Sequence, residues 1–274
     1  MGALDGRVAV VTGASRGIGA SIAERFAAEG AHVAVVARTA EAGDSRLPGS
    51  IAEVAEAIRS AGGIAEPIIT DLTRDDDVEA LPRLVEAALG PIDILVNNAG
   101  ANFYGPALAT KLSKYDVMFQ MMVRAPFRLC QLVVPGMVER GYGVILNITS
   151  KQARHPMGPP YPEWASDGCT PYGMAKAALD RLSTGLAAEV EGTGVRVNAL
   201  GTGALVMTPG VAVVSPHTPD NVPVEPDGAM AAAALLLCTG DDASGDPTTG
   251  RIAYSMELLG TPPPPGPWAL SATF

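Results

Sequence analysis

Short continuous apolar runs alternate along this chain with longer segments whose apolar positions recur at helical spacing. Arg7 to Thr12 (RVAVVT) reads as a strand that meets Gly13, and helical periodicity from Gly17 to Glu29 follows, stopped by Gly30. His32 to Ala37 (HVAVVA) is a second strand. A polar stretch with Gly43, Pro48 and Gly49 leads to a helix from about Ser50 to Ala61, a strand near Ile64 to Thr70, a helix from about Asp75 to Leu89 and a short strand at Ile92 to Val96. A long helix from about Ser113 to Arg140, a strand at Gly143 to Ile148 and an irregular, proline-bearing segment from Gln152 to Pro171 come next. A helix through Tyr172, a strand at Val195 to Leu200, a helix around Asp227 to Leu237 and a strand near Arg251 to Ser255 complete the pattern. Strands without polar alternation, each followed by a helix, predict an α/β fold with a parallel sheet covered on both faces. No break between strands looks like an interdomain linker, so one domain is expected over residues 1–259, with substrate loops at 151–171 and 202–225. Residues 260–274 carry Pro262 to Pro265 and read as a tail lying along the surface.

The 274 residues are 47% apolar, ample for a buried core, which excludes disorder of the whole chain. A net charge of −10 argues against a nucleic-acid or anionic-membrane surface. Cys130, Cys169 and Cys238 are odd in number and widely spaced, without a CxxC or a neighbouring His cluster. They read as reduced thiols, and no metal site is expected. The N-terminus lacks the layout of a signal peptide and no apolar run is long enough to span a bilayer, so the expected location is cytoplasmic.

Candidate chemistry changes the picture. Tyr172 and Lys176 are four apart on a helical segment, so the phenol and the ammonium share a face. A cation beside a phenol favours the phenolate and moves a proton donor towards working pH. Ser150, at the end of the Gly143 to Ile148 strand, could hold a carbonyl oxygen while the phenol protonates it. Thr149 is the competing hydroxyl, but neighbours along a strand face opposite sides. Thr12-Gly13-Ala14-Ser15-Arg16-Gly17-Ile18-Gly19 falls at the first strand-to-helix junction, where a nucleotide pyrophosphate would rest on the helix N-terminus.

The GxxxGxG spacing, Asn97-Asn98-Ala99-Gly100 after the fourth strand and YxxxK downstream, in register from about Arg7 to Ser255, resemble the short-chain dehydrogenase/reductase family. The resemblance implies a three-layer, doubly wound Rossmann-like fold with a seven-stranded parallel sheet, an NAD(P) cofactor, hydride transfer, and a homo-oligomer, tetramer or dimer, built on the two long helices. It implies that Tyr172 is the acid-base residue, that Lys176 lowers its pKa and holds the nicotinamide ribose, and that Ser150 positions the substrate oxygen. Gly13, Ser15, Arg16, Gly17, Ile18 and Gly19 would cradle the cofactor. Asp71 and Leu72 would meet the adenine, with a turn-capping Asp71 as the competing reading. Asn98, Ala99 and Gly100 would line the adenosine ribose, and Thr202, Gly203 and Thr208 would meet the carboxamide.

NAD sites place an acidic residue at the end of the second strand to bond the ribose 2′-hydroxyl. This chain has Ala37-Arg38-Thr39 there and Arg16 in the glycine turn, two guanidinium groups able to clamp a 2′-phosphate with no carboxylate to repel it. NADP(H) is therefore expected over NAD(H), against the alternative that Arg38 is a solvated loop residue. Two departures from the family stand out. Met122 occupies the position of the helix Asn that completes the proton relay through a kinked backbone and water, and Thr202-Gly203 replaces a Pro-Gly pair. The interval between Ser150 and Tyr172 is long and holds His155, Tyr161, Trp164 and Cys169, while Val206 to Val214 is apolar enough for a lid. These features suggest an apolar carbonyl or alcohol substrate. Reduction of 3-oxoacyl thioesters is an alternative, helped if Arg124, Arg128 and Arg140 form a patch for an acidic carrier. A non-catalytic, NADP-binding or redox-sensing protein is another, made thinkable by Met122.

Overall fold

The computed structural model describes residues 1–162, 165, 168–214, 224–240 and 248–261. Seven strands, β1 (Val8–Thr12), β2 (His32–Ala37), β3 (Ile64–Ile69), β4 (Ile94–Asn97), β5 (Gly143–Ile148), β6 (Val195–Gly201) and β7 (Ile252–Tyr254), form one sheet in the order β3-β2-β1-β4-β5-β6-β7. Every pairing is parallel. β1, β4 and β5 are buried along their whole length, which is why they read as unbroken apolar runs. Pro67 lies in β3, at the sheet edge, where a missing ladder N–H is tolerated.

The helices are α1 (Gly17–Ala28), α2 (Ile51–Ser60), α3 (Asp75–Leu89), α4 (Leu112–Phe119), α5 (Ala125–Arg140), α6 (Thr170–Glu189), α7 (Pro209–Val214), α8 (Asp227–Thr239) and α9 (Ser255–Leu258). Ile22, Ala23 and Phe26 of α1 and the apolar faces of α2 and α8 pack with one side of the sheet. Val78, Leu81 and Val85 of α3 and Leu129, Val133 and Met137 of α5 pack with the other. Helical apolar spacing thus gives three layers, and Ser50 caps α2: its hydroxyl accepts from the Glu53 N–H at 3.1 Å.

The helix expected to run unbroken from Ser113 to Arg140 is instead α4 and α5 joined by a π-turn over Gln120–Arg124, closed by Ala125 N–H donating to the Gln120 carbonyl. The whole stretch, Leu112–Arg140, is long and apolar enough to cross a membrane by length and composition, contrary to the expectation that no run would be. Half of its apolar window is buried in the protein, which accounts for the hydropathy as that of a core helix. Trp164 and the tail from residue 262 lie outside the described residues.

The strand order reverses between β1 and β4, and the crevice outside their C-terminal ends is where a parallel sheet of this kind receives a ligand. Thr12 locks that crevice: its hydroxyl donates to the Val96 carbonyl and accepts from the Asn98 and Ala99 N–H groups.

Candidate active site

Tyr172 lies in the first turn of α6, and Lys176 stands on the buried stripe of that helix with Ala175, Leu179, Ser183 and Ala187. A lysine on an apolar stripe must find a partner, and its Nζ donates to the Ile148 carbonyl at 2.6 Å. A 3-10 turn, Lys151–Ala153, carries the chain from β5 back over α6. Gly173 allows that contact, because a Cβ there would collide with the Gln152 carbonyl oxygen. The approach places Ser150, not Thr149, against the phenol: the Ser150 hydroxyl hydrogen-bonds Tyr172 and also accepts from the Gln152 N–H at 3.2 Å. Thr149 is buried and its hydroxyl turns to the Asp180 carboxyl instead.

The electrostatics differ from the expectation that Lys176 lowers the phenol's pKa. Lys176 Nζ sits over the Tyr172 ring, 5.6 Å from its centroid, rather than at the oxygen. Burial dominates at both groups. It drives the Tyr172 phenol upward, opposed mainly by the Ser150 hydrogen bond, and brings Lys176 down to about 8. Tyr172 is accordingly a neutral phenol at neutral pH, the form that can give a proton away.

Around the phenol the wall is apolar. Met118, Met122 and Ala175 pack with Phe103, Phe119, Val123 and Tyr172. The flanking segments expose Tyr104, Met157, Tyr161 and Met207. The Gly105 N–H donates to the Gly168 carbonyl at 3.2 Å, tying the segment after β4 to the end of the 151–171 loop. His155 is exposed on that loop.

Met122 lies in the π-turn between α4 and α5. A Cβ built on Gly100 would stand 3.3 Å from its sulfur and 3.7 Å from Lys176 Nζ, so the thioether and the ammonium flank one point. A thioether has no hydrogen to donate, so Met122 adds no donor to the π-turn that carries it.

At the other end of the crevice, Gly13 has φ +68°, and a Cβ on Gly19 would lie 2.5 Å from both the Asn98 side chain and the Gly13 carbonyl oxygen. Asn98 Nδ2 donates to the Thr12 carbonyl at 2.8 Å, so this side chain ties β1 to β4. The N-terminus of α1 has no side-chain cap and no acidic residue in its first turn, which leaves its amides oriented for an anion. Arg16 at that N-cap reaches over the loop after β2, donating to Thr39 Oγ1 at 3.1 Å, Ser45 Oγ at 3.3 Å and the Gly49 carbonyl at 2.7 Å. Arg38 is largely exposed, as an anion receptor requires.

Asp71 caps the turn after β3. Its Oδ1 accepts from the Thr73 N–H and hydroxyl, the turn-capping reading, and its Oδ2 lies 3.8 Å from Arg38 Nη1. A carboxylate therefore does stand beside Arg38, brought from β3 rather than from the end of β2 where the sequence was searched. Leu72 is buried behind it. Thr208 packs on Gly17 and accepts from the Val211 N–H, capping α7.

Several supports were not visible from motifs. Asn97 donates to Asn147, Asn147 donates to Ser183, and Ser183 donates to the Leu179 carbonyl, each at 2.8 Å, a buried polar chain that sets α6 against β4 and β5. The signal for it was polar residues at positions where strand and helix patterns demand apolar ones. Ser45 and Glu225 carried no such signal, because both lie in irregular segments.

The short chain dehydrogenase family profile matches residues 7–218. A short chain dehydrogenase of Pseudocercospora fijiensis is 38% identical over 207 residues, which are 74% of this chain, and this chain spans 61% of that relative's length. The 7alpha-hydroxysteroid dehydrogenase of Escherichia coli K12 is 33% identical over 244 residues, covering 86% of this chain and 88% of the relative. The crystal structure of a metagenomic short-chain oxidoreductase in complex with NADP superposes with a TM-score of 0.71 at 31% identity, covering 91% of this chain and 99% of the other. With the sheet order, the glycine turn and the Ser150, Tyr172 and Lys176 arrangement, these matches establish that the chain belongs to the short-chain dehydrogenase family.

Proposed function

We propose that the protein is an oxidoreductase that interconverts a carbonyl compound and its alcohol using NADP(H), with Tyr172 as the acid-base residue. The observation that carries this is the half-buried neutral phenol with the Ser150 hydroxyl bound to it, at the C-terminal edge of the sheet and beside a buried lysine. The uncapped N-terminus of α1, the exposed Arg38 and the reach of Arg16 fit a phosphorylated dinucleotide. NADP(H), when bound, supplies or accepts the hydride at the carbonyl carbon. In reduction, Ser150 holds the carbonyl oxygen and Tyr172 gives it a proton, so the oxygen leaves as a hydroxyl. Lys176 would hold the ribose of the bound cofactor and stabilise the phenolate left behind.

The apolar wall of Met118, Met122 and Phe103, and the relationship to a hydroxysteroid dehydrogenase, favour an apolar secondary alcohol or ketone. A carrier-bound thioester fits less well. Arg124 pairs with Asp75 at 2.7 Å, Arg128 with Glu79 at 2.5 Å, and Arg140 donates to the Ile92 carbonyl at 2.5 Å, so each would have to exchange a partner on this chain for an acidic carrier. A redox sensor fits less well too, since burial pushes the Cys130 and Cys238 thiols up to about 12, where thiolate is scarce. Three buried, free cysteines support a cytoplasmic setting. Half-exposed Phe127 on α5 and Leu84 on α3 support a homo-oligomer formed on these helices.

The cofactor assignment is tested by initial rates with NADPH and NADH. NADPH should be favoured, and Arg38→Ala should erase roughly 10- to 100-fold of that preference, the worth of one charge-assisted contact. Equal efficiencies with the two cofactors in the parent protein would sink it.

A further inference from the structure

Thr202, Gly203 and Ala204 lead the chain away from the end of β6, and the family resemblance implies that Thr202 and Gly203 meet the nicotinamide carboxamide. A proline at 202 would restrain it by fixing φ, whereas threonine leaves that dihedral free. The restraint comes instead from a residue more than twenty positions further on. Glu225 is 1% exposed. Its Oε2 accepts from the Gly203 N–H at 2.8 Å, the Ala204 N–H at 3.1 Å and the Ser255 hydroxyl at 2.7 Å. Ser255 Oγ in turn accepts from the Gly203 N–H at 2.9 Å. On the opposite side of the same residue, Lys151 Nζ donates to the Gly203 carbonyl. Glu225 is itself anchored, because its N–H donates to the Leu205 carbonyl at 3.0 Å and Leu205 and Val224 form a parallel bridge.

A buried carboxylate is a costly way to fill space, and an apolar side chain would pack there at less expense. What an apolar side chain cannot do is accept from two consecutive backbone N–H groups. Burial raises the Glu225 carboxyl above the ordinary range, and the bonds from Ser255, Ala204 and Gly203 work against that rise. Lys151 follows Ser150 directly, so the contact joins the segment that holds the substrate oxygen to the segment that receives the carboxamide.

We propose that Glu225 is a positioning residue for hydride transfer: with Lys151 it clamps the backbone of Gly203 from both sides, couples that backbone to the Ser150 segment, and takes over the restraint lost with the proline. It rests on the NADP(H) reading of the site, and two measurements separate the two ideas.

The first needs no cofactor. Hydrogen exchange at the Gly203 and Ala204 amides should quicken at least tenfold in Glu225→Ala and less in Glu225→Gln, which keeps one carbonyl acceptor, while amides of β6 such as Val197 stay protected. The second compares Kd for NADPH with Kd for adenosine 2′,5′-bisphosphate, which lacks the nicotinamide half. Glu225→Gln should weaken NADPH several-fold and leave the bisphosphate unchanged. Unchanged exchange at Gly203 and Ala204 overturns the clamp whatever the ligands do. Equal weakening of both ligands overturns the positioning role in favour of a general structural one. Parent protein that binds neither ligand overturns the cofactor reading and the positioning role with it, while quickened exchange still establishes the clamp.

Discussion

Lys176 shows how much one residue can disclose. On the buried stripe of α6 it lies between Gly173 and Leu179, and a folded protein tolerates an ammonium there only with partners, here the Ile148 carbonyl and the nearby Asp180 carboxylate, and at a cost. Burial lowers its pKa from 10.5 to about 8, so between those values the unfolded chain binds the extra proton and the folded one does not. Stability should therefore rise as pH increases from about 8 to 10.5, and at pH 7 the buried cation is a net burden. Lys176→Met should raise stability by about 1–2 kcal/mol at pH 7 while abolishing turnover. Paired denaturation and rate measurements check this, and a variant less stable than the parent contradicts it. The same titration reaches catalysis. Reductive kcat should fall with a single ionisation near pH 8 as Lys176 loses its charge, and a profile flat to pH 10 would count against that role. The motif itself was legible because four-residue spacing on a helix is a geometric statement. That burial, rather than the ammonium, governs the phenol was not legible, since it depends on how deeply Tyr172 sits.

At the scale of elements, the site is made by a strand end, a 3-10 turn and a helix meeting at Gly173. Alanine is a better helix former than glycine by about 1 kcal/mol, so on propensity alone Gly173→Ala should stabilise α6. The Gln152 carbonyl in the path of the new Cβ opposes this and would push the Ser150 segment off the phenol. We expect kcat to fall about tenfold or more, with α6 intact by circular dichroism, because misplacement of this size is amplified in the transition state. Unchanged kcat would show that the turn is not what sets Ser150. The strands and most helices were readable to within a residue or two from their periodicity, α3 and β2 without error. The π-turn was not, because a backbone bulge leaves the apolar content of α4 and α5 undisturbed. Glu225 was hidden for another reason: its partners are backbone N–H groups, which no side-chain pattern records.

For the whole molecule, the parallel sheet decides where chemistry can happen. Strand order reverses between β1 and β4, so the glycine turn, Asn98 and the Ser150 segment all gather at one edge of the sheet. The outer face of α3 and α5 is left with Leu84, Phe127 and Val138 exposed beside the Arg124 and Arg128 ion pairs. If copies of the chain associate there, Phe127→Glu should shift sedimentation to a smaller species while the fold persists, and an unchanged mass would place the interface elsewhere. The role of Tyr172 reaches furthest. Turnover of a panel of apolar ketones and secondary alcohols with NADPH or NADP should be compared between the parent protein and Tyr172→Phe, with cofactor affinity measured in both. We expect at least one substrate to be turned over by the parent, a loss on the order of 10²–10⁴-fold in kcat for the variant, and unchanged NADPH binding. Turnover by Tyr172→Phe at the parent rate, or a parent that binds NADPH and reduces nothing in the panel, would contradict it.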